Sequence, residues 1–264
     1  MPDQLTGVFV AEKKDHTIYY RASMTCNQKH ISLGSFDSSD KAHKAYLEGC
    51  LLFHSPNVLI ADYTNSDVLP FDKWVSICNF RDNRIYICNP IYIRPKFFYY
   101  YLAKNHALIF DIDDLFYYSS HKIMQRKGHL FVADYGMQVN ILNRYGIKNY
   151  GVCPRDFRFV NGDSNDFRYE NIEIINRYNG VQKITEFGHT YYLTKIHLHG
   201  DYIIGRYHTE DQAAIAYNKA IDILKGNGCR KNFVSNYLEG LSPSVYADIY
   251  HGVTISDKIV HFNS

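Results

Sequence analysis

Arg21, Ser23 and Thr25 alternate with Ala22 and Met24, and a few residues later His30 and Ser32 flank Ile31. In extended backbone, successive side chains point to opposite faces, so this spacing gathers the polar set on one face and the apolar set on the other. A guanidinium on such a face can pair bidentately with guanine, and lysines and serines can hold phosphates. Lys13, Lys14 and Lys29 lie on or beside the same face. Such a face is suited to contacts by charge and hydrogen bonding, with no bond made or broken. Other groupings offer less. The six cysteines at 26, 50, 78, 88, 153 and 229 form no C-x-x-C pair and no metal quartet, and read as reduced thiols. His121 and His129 have no spaced partner, and there is no glycine-rich phosphate loop or Ser-His-Asp grouping. No metal and no cofactor is expected.

The elements that must position these residues emerge from an internal repeat. LGSFDSSDKAHKAY at 33–46 aligns residue for residue with IGRYHTEDQAAIAY at 204–217, so that Gly34 matches Gly205, Asp40 matches Asp211, and Tyr46 matches Tyr217. Upstream, Gly7-Val8 echoes Gly180-Val181, and the run from Tyr20 matches the run from Tyr192. Each repeat predicts three short strands followed by a helix. Ile18, Tyr20, Ala22 and Met24 mark one strand, Ile31 and Leu33 the next, with a turn at Asn27-Gln28 between them. Ser38 and Thr209 predict helix starts, the latter with Gln212 at capping-box spacing. Ala42, Ala45, Tyr46 and Gly49, like Ala213, Ala216, Tyr217 and Ala220, fall on one helical face whose small residues permit close approach to a sheet.

The L-G-x-F pattern before an Ala-rich helix ending in Ala-Tyr resembles the AP2 DNA-binding domain. The second repeat extends the likeness to Asn232-Phe233, placed like that family's closing Asn-Phe. The resemblance implies a three-stranded sheet lying in the DNA major groove, its face opposite the helix reading bases and holding phosphates. In the first repeat this agrees with the alternation, since Asp37, Asp40 and Glu48 fall on the helix and leave the open face positive. In the second repeat the corresponding positions hold Leu193, Lys195, His197 and Ile203, two of them apolar. The candidates there are Lys183, Lys195, His197 and Arg206. Leu193 and Ile203 either touch thymine methyls or pack on protein.

Between the repeats, FVNGDSNDFRYENI at 159–172 resembles the HNH nuclease motif, and residues 111–130 and 141–144 look like strands leading into it in phage-type HNH proteins, which often carry AP2 domains. The resemblance implies a hairpin, with a tight turn at Asn161-Gly162, followed by a helix that together grip a divalent metal. The chemistry is missing. Phe159 stands at the general-base position, Arg158 at the expected metal ligand and Asn143 at the upstream histidine, leaving only Asn171 of the catalytic set. A phenyl ring accepts no proton and a guanidinium repels a cation, so an inactive nuclease-like fold is expected. Asp166, Arg168 and Asn171 preserve its scaffold, and Arg158 and Arg168 become candidates for a DNA phosphate.

Composition bounds the rest. The chain has 264 residues, 46% of them apolar and 21% charged, with 29 Lys and Arg against 27 Asp and Glu. A formal charge of +2 excludes a polybasic arm. The aromatic run at 96–102 is expected as a buried strand or helix in preference to a base-stacking platform. No apolar stretch is long enough for a membrane span, and the N-terminal residues lack a secretory pattern, so an intracellular protein is expected. The expected architecture is α+β: an AP2-like module at 1–56, a degenerate HNH-like module at 57–178, a second AP2-like module at 179–240, and a tail at 241–264 with a short helix after Ser242-Pro243 and then an extended end. The function expected is sequence-specific binding of double-stranded DNA by a non-enzymatic transcriptional regulator. Two alternatives stay open: a homing-type or phage HNH endonuclease with a non-standard site, and a protein-interaction module using the apolar second sheet. A homo-oligomer is compatible with either.

Overall fold

The computed structural model describes residues 5–64 and 68–262; the first four residues and the last two of the tail lie outside the described residues. The chain is mixed α+β and divides into two compact units, Met1–Ile141 with Asp163–Asn171, and Leu142–Gly162 with Ile172–Ser264. The middle segment, 57–178, is therefore shared between them.

In the first unit, β1 (Val8–Glu12), β2 (Ile18–Cys26) and β3 (Lys29–Phe36) form an antiparallel sheet in that order, and α1 (Ser39–His54) packs across one face. The Ser38 hydroxyl accepts from the Lys41 N–H at 3.3 Å and so caps the helix. Ala42, Ala45, Gly49 and Leu52 bury against Ala22, Met24, Ile31 and Leu33. Each of the larger apolar side chains contributes about 1.5–3 kcal/mol through its burial. A Cβ at Gly49 would stand 3.2 Å from both Leu33 and Met24, so this glycine sets how closely helix and sheet approach.

The unit continues with α2 (Phe71–Asn83), which shares the core of α1 through Trp74, Ile77, Cys78 and Phe80. Arg81 joins the two helices. Its Nη1 donates to the carbonyls of Leu52, Ser55 and Val58 at 2.8–3.0 Å, satisfying the C-terminal end of α1. Glu48 is drawn inward too, its carboxylate accepting from the N–H groups of Val68 and Leu69. A second sheet, β4 (Ile91–Ile93), β5 (Phe97–Ala103) and β6 (His106–Asp111), carries the aromatic run in β5 as a strand, with Phe98 and Tyr100 fully buried. After α3 (Leu115–Ser120), a third sheet is formed by β7 (Ile123–Arg126), β8 (His129–Asp134) and β9 (Met137–Asn140).

The second unit holds β10 (Phe157–Phe159) paired with β11 (Ile172–Ile174), then the antiparallel sheet β12 (Val181–Glu186), β13 (His189–His197) and β14 (Asp201–Tyr207), and α4 (Glu210–Gly226). This sheet and helix repeat the first module. The Thr209 hydroxyl accepts from the Gln212 N–H at 3.2 Å, and the same irregularity recurs at the same place. Ala22 pairs with Gly34 and Ser23 with Ser32, skipping Leu33; Thr194 pairs with Gly205 and Lys195 with Ile203, skipping Ile204. Gly7 and Gly180 both lie at positive φ, 78° and 72°, where a Cβ would run into the rings of Tyr46 and Tyr217 respectively. The repeat therefore preserves this close approach of backbone to aromatic ring.

The tail departs from expectation in one respect. α5 (Pro243–Gly252) follows Ser242 as predicted, but the end is not extended: α6 (Asp257–Val260) follows, and Val253, Ile255 and Ile259 join the core under α4. Ser256 and Tyr207 tie this stretch to β14 through bonds to the Ile203 and Thr254 carbonyls.

Candidate nucleic-acid interface

On the open face of the first module, Phe9, Arg21 and Ser35 form one rung across β1, β2 and β3. The Arg21 guanidinium lies 5.4 Å from the centroid of the Tyr19 ring, and its Nη2 donates to the Tyr19 hydroxyl at 2.7 Å. Period two places Tyr19 on the same face as Arg21, and the ring holds an otherwise flexible cation above the sheet. Thr25 and His30 form another rung, 3.4 Å apart. Lys13 and Lys14 lie exposed in the β1–β2 turn, where Glu12 and His16 pair. Lys29, at the start of β3, sits 5.5 Å from the centroid of the Tyr86 ring.

Ser23 departs from expectation. Only 9% of it is exposed, because the bulge brings it to the Gly7 carbonyl, which accepts from its N–H at 3.0 Å. It therefore does not offer a hydroxyl beside Arg21. On the helix side, Asp37 pairs with Lys41 at 2.8 Å, and that bond lowers the pKa of the Asp37 carboxyl.

On the second module, Arg206 lies 5.2 Å from the centroid of the Tyr191 ring. Arg206 faces Leu193 across the ladder, just as Ser35 faces Arg21 in the first sheet. The cation has changed strands while keeping its place on the face and its aromatic platform. Aligning the repeat by sequence hides this equivalence, because Arg206 aligns with Ser35. Desolvation, followed by a hydrogen bond to Glu186, raises the pKa of the Tyr191 phenol.

His197 Nδ1 is hydrogen-bonded to Asp201 Oδ1 at 2.8 Å, which lowers the Asp201 pKa, and Ile203 is half exposed. Leu193 is buried, 7% exposed, and so is not available to a thymine methyl. Lys183 also departs from expectation. It faces Tyr192, whose ring joins the core formed by Val181 and Ala213, so ladder geometry puts Lys183 on the helix side, away from Arg206.

Beside the second sheet lies a cavity of about 580 Å³ lined in part by Arg155, Lys195, His197, Lys231, Asn179 and Tyr217. Lys231 donates to the carbonyls of His197 and Leu198, whereas Arg155 is held by Asp156. Asn179, Asn218 and Asn236 form a network that pins the irregular chain after α4. Asn179, Asn218 and Asn236 did not stand out in the sequence, since each finds its partners across long separations.

The central residues are arranged differently from the resemblance. β10 and β11 pair antiparallel, but only a 3-10 turn, Tyr169–Asn171, stands where a helix is implied, and Ile141–Tyr145 is a 3-10 turn in place of a strand. Asn161-Gly162 does turn tightly, with the Gly162 N–H donating to the Phe159 carbonyl at 3.0 Å. Arg158 pairs across the ladder with Glu173 at 2.7 Å. Phe159 packs edge-on against Phe157. Within the first unit, Asp166 bridges in parallel to Ile109, and its buried carboxylate takes two bonds from Arg168, at 2.9 and 2.7 Å. Glu170 holds a third nitrogen of that guanidinium, and Asn171 Nδ2 donates to the Asp166 carbonyl. Arg168 thus ties the loop together and is less available to a phosphate than Arg21.

Among the described residues, no group of three or more His, Cys, Asp and Glu side chains converges as a metal would require, and no helix is long and apolar enough to cross a membrane. The molecule is a mixed α+β chain in which one sheet-and-helix module occurs twice. No protein-family model, curated protein or solved structure matches it.

Proposed function

We propose that this chain is a sequence-specific double-stranded DNA-binding protein serving transcriptional regulation, with two AP2-like modules as its readers and an HNH-like segment that does no chemistry. The observation that carries the proposal is the recurrence of an arginine held over a tyrosine on the same rung of both open sheet faces, Arg21 over Tyr19 and Arg206 over Tyr191 from the neighbouring strand. A guanidinium held over a ring keeps its planar fork ordered, which suits bidentate pairing with the O6 and N7 atoms of guanine. Lys13 and Lys14 at the edge of the first face would hold phosphates, and linking two readers on one chain raises the effective concentration of the second. The inactivity of the HNH-like segment is supported by Phe159 and Arg158 at positions that would need a base and a metal ligand.

Selecting bound sites from random duplex DNA tests the proposal. The expected result is an enriched motif with guanine at the position lost in Arg21→Ala, and the absence of any enriched motif overturns it. Plasmid nicking that depends on Mg²⁺ or Mn²⁺ and disappears with EDTA would overturn the non-enzymatic part.

A further inference from the structure

The turn joining β12 to β13 is Phe187-Gly188, with both residues at positive φ, 51° and 80°. A two-residue turn of this hand matches the twist of a hairpin, and asparagine or glycine fills its first position readily. A bulky aromatic L-residue fits it poorly, because the left-handed region crowds Cβ against the carbonyl oxygen. Burial returns nothing for Phe187, which is 102% exposed. The β8–β9 turn repeats the combination in Tyr135-Gly136, with Tyr135 at φ 47° and 96% exposed. A disfavoured conformation at a fully solvated ring points to something the ring meets outside the chain.

The surroundings of Phe187 indicate what that is. The two rungs below the tip are Glu186 with His189 and Thr185 with Thr190. The threonine hydroxyls bond to each other at 3.0 Å, and the Glu186 carboxylate is bonded to the Tyr191 hydroxyl. A protein partner would need an apolar patch around the ring to exclude water, and these rungs are polar. A nucleic-acid base needs only the ring, and a narrow two-stranded ribbon enters a groove. The same ribbon carries Tyr191, the platform of Arg206.

We propose that Phe187 is a wedge that stacks on DNA bases and unstacks one base step when the second module binds. This rests on the DNA-binding function proposed above. The test uses the full chain, a duplex selected by the wild-type protein, and 2-aminopurine placed in turn along that duplex. Wild-type binding is expected to raise 2-aminopurine fluorescence at one step. Phe187→Asn, which creates the favoured Asn-Gly turn, should fold at least as stably, bind at least tenfold more weakly and lose the fluorescence rise, whereas Phe187→Trp should retain both. Equal affinity and equal fluorescence in Phe187→Asn overturn the wedge and leave DNA binding standing, as does weaker binding with no fluorescence change in the wild type. Failure of the wild type to bind any duplex overturns the DNA-binding function itself, and the wedge with it.

Discussion

The guanidinium of Arg206 lies over the ring of Tyr191, 5.2 Å from its centroid, on a strand that differs from the one carrying its counterpart in the first module. If the cation and its platform act together, Arg21→Ala and Arg206→Ala should each weaken binding to the selected duplex by about 1–3 kcal/mol and relax base preference at one position. Arg21→Lys should retain phosphate attraction and lose the preference. Fluorescence anisotropy against the selected site and single-base variants checks this, and unchanged preference in Arg21→Lys would remove Arg21 from base reading.

Lys13 and Lys14 stand in an exposed turn and should act through phosphates alone. Lys13→Ala and Lys14→Ala should each reduce the slope of log K against log salt by about 1, lowering affinity for all duplexes alike. A salt titration of both variants shows whether the slope moves.

Arg81 is the tie between α1 and α2, buried with three carbonyls on one nitrogen and Asp82 on the others. Truncation leaves those carbonyls without their donor and Asp82 with the Tyr92 hydroxyl alone. Arg81→Ala should therefore cost on the order of 3–5 kcal/mol of stability, read as a lowered urea midpoint. Arg84→Ala, one helical turn on and outside this tie, should change it little.

Acid should weaken both units through carboxylates. Burial opposes ionisation of Asp82 and of Asp156, but hydrogen bonds outweigh it and leave both pKa values below the ordinary 3.8. Those bonds come from Arg81 and Tyr92 to Asp82, and from Arg155, the Val152 N–H and Asn176 to Asp156. A folded-state pKa below the unfolded one means the unfolded chain binds more protons in that range. The contribution is thus complete above about pH 4 and is lost as pH falls through the folded values. Asp156→Asn should lower the urea midpoint near neutrality and flatten its fall in acid; parallel acid limbs for variant and wild type would count against this role.

The modules were legible in the sequence because their signals are local. Alternation marked β2 and β3, Ser38 and Thr209 marked where α1 and α4 begin, and the paired Gly7 and Gly180 recurred with the tyrosines they lie against. The aromatic run announced a buried element by its composition, but strand or helix stayed open until the structure placed it as β5. Such features depend on neighbours within a turn or a strand, so a repeat read along the chain recovers them.

The remaining features depend on register and on partners far apart in the chain. One bulge buried Ser23, and one ladder pairing turned Lys183 to the helix side. Arg206 took the place of Arg21 by crossing to a neighbouring strand, and the loop of Asp166 and Arg168 joined β6 more than fifty residues upstream. A shift of one residue in pairing exchanges the two faces of a strand, and hydrogen-bonded and ionic partners are chosen by proximity in space. The chain alone therefore announced two sheet-and-helix modules, and their folded form determined which cations share a face.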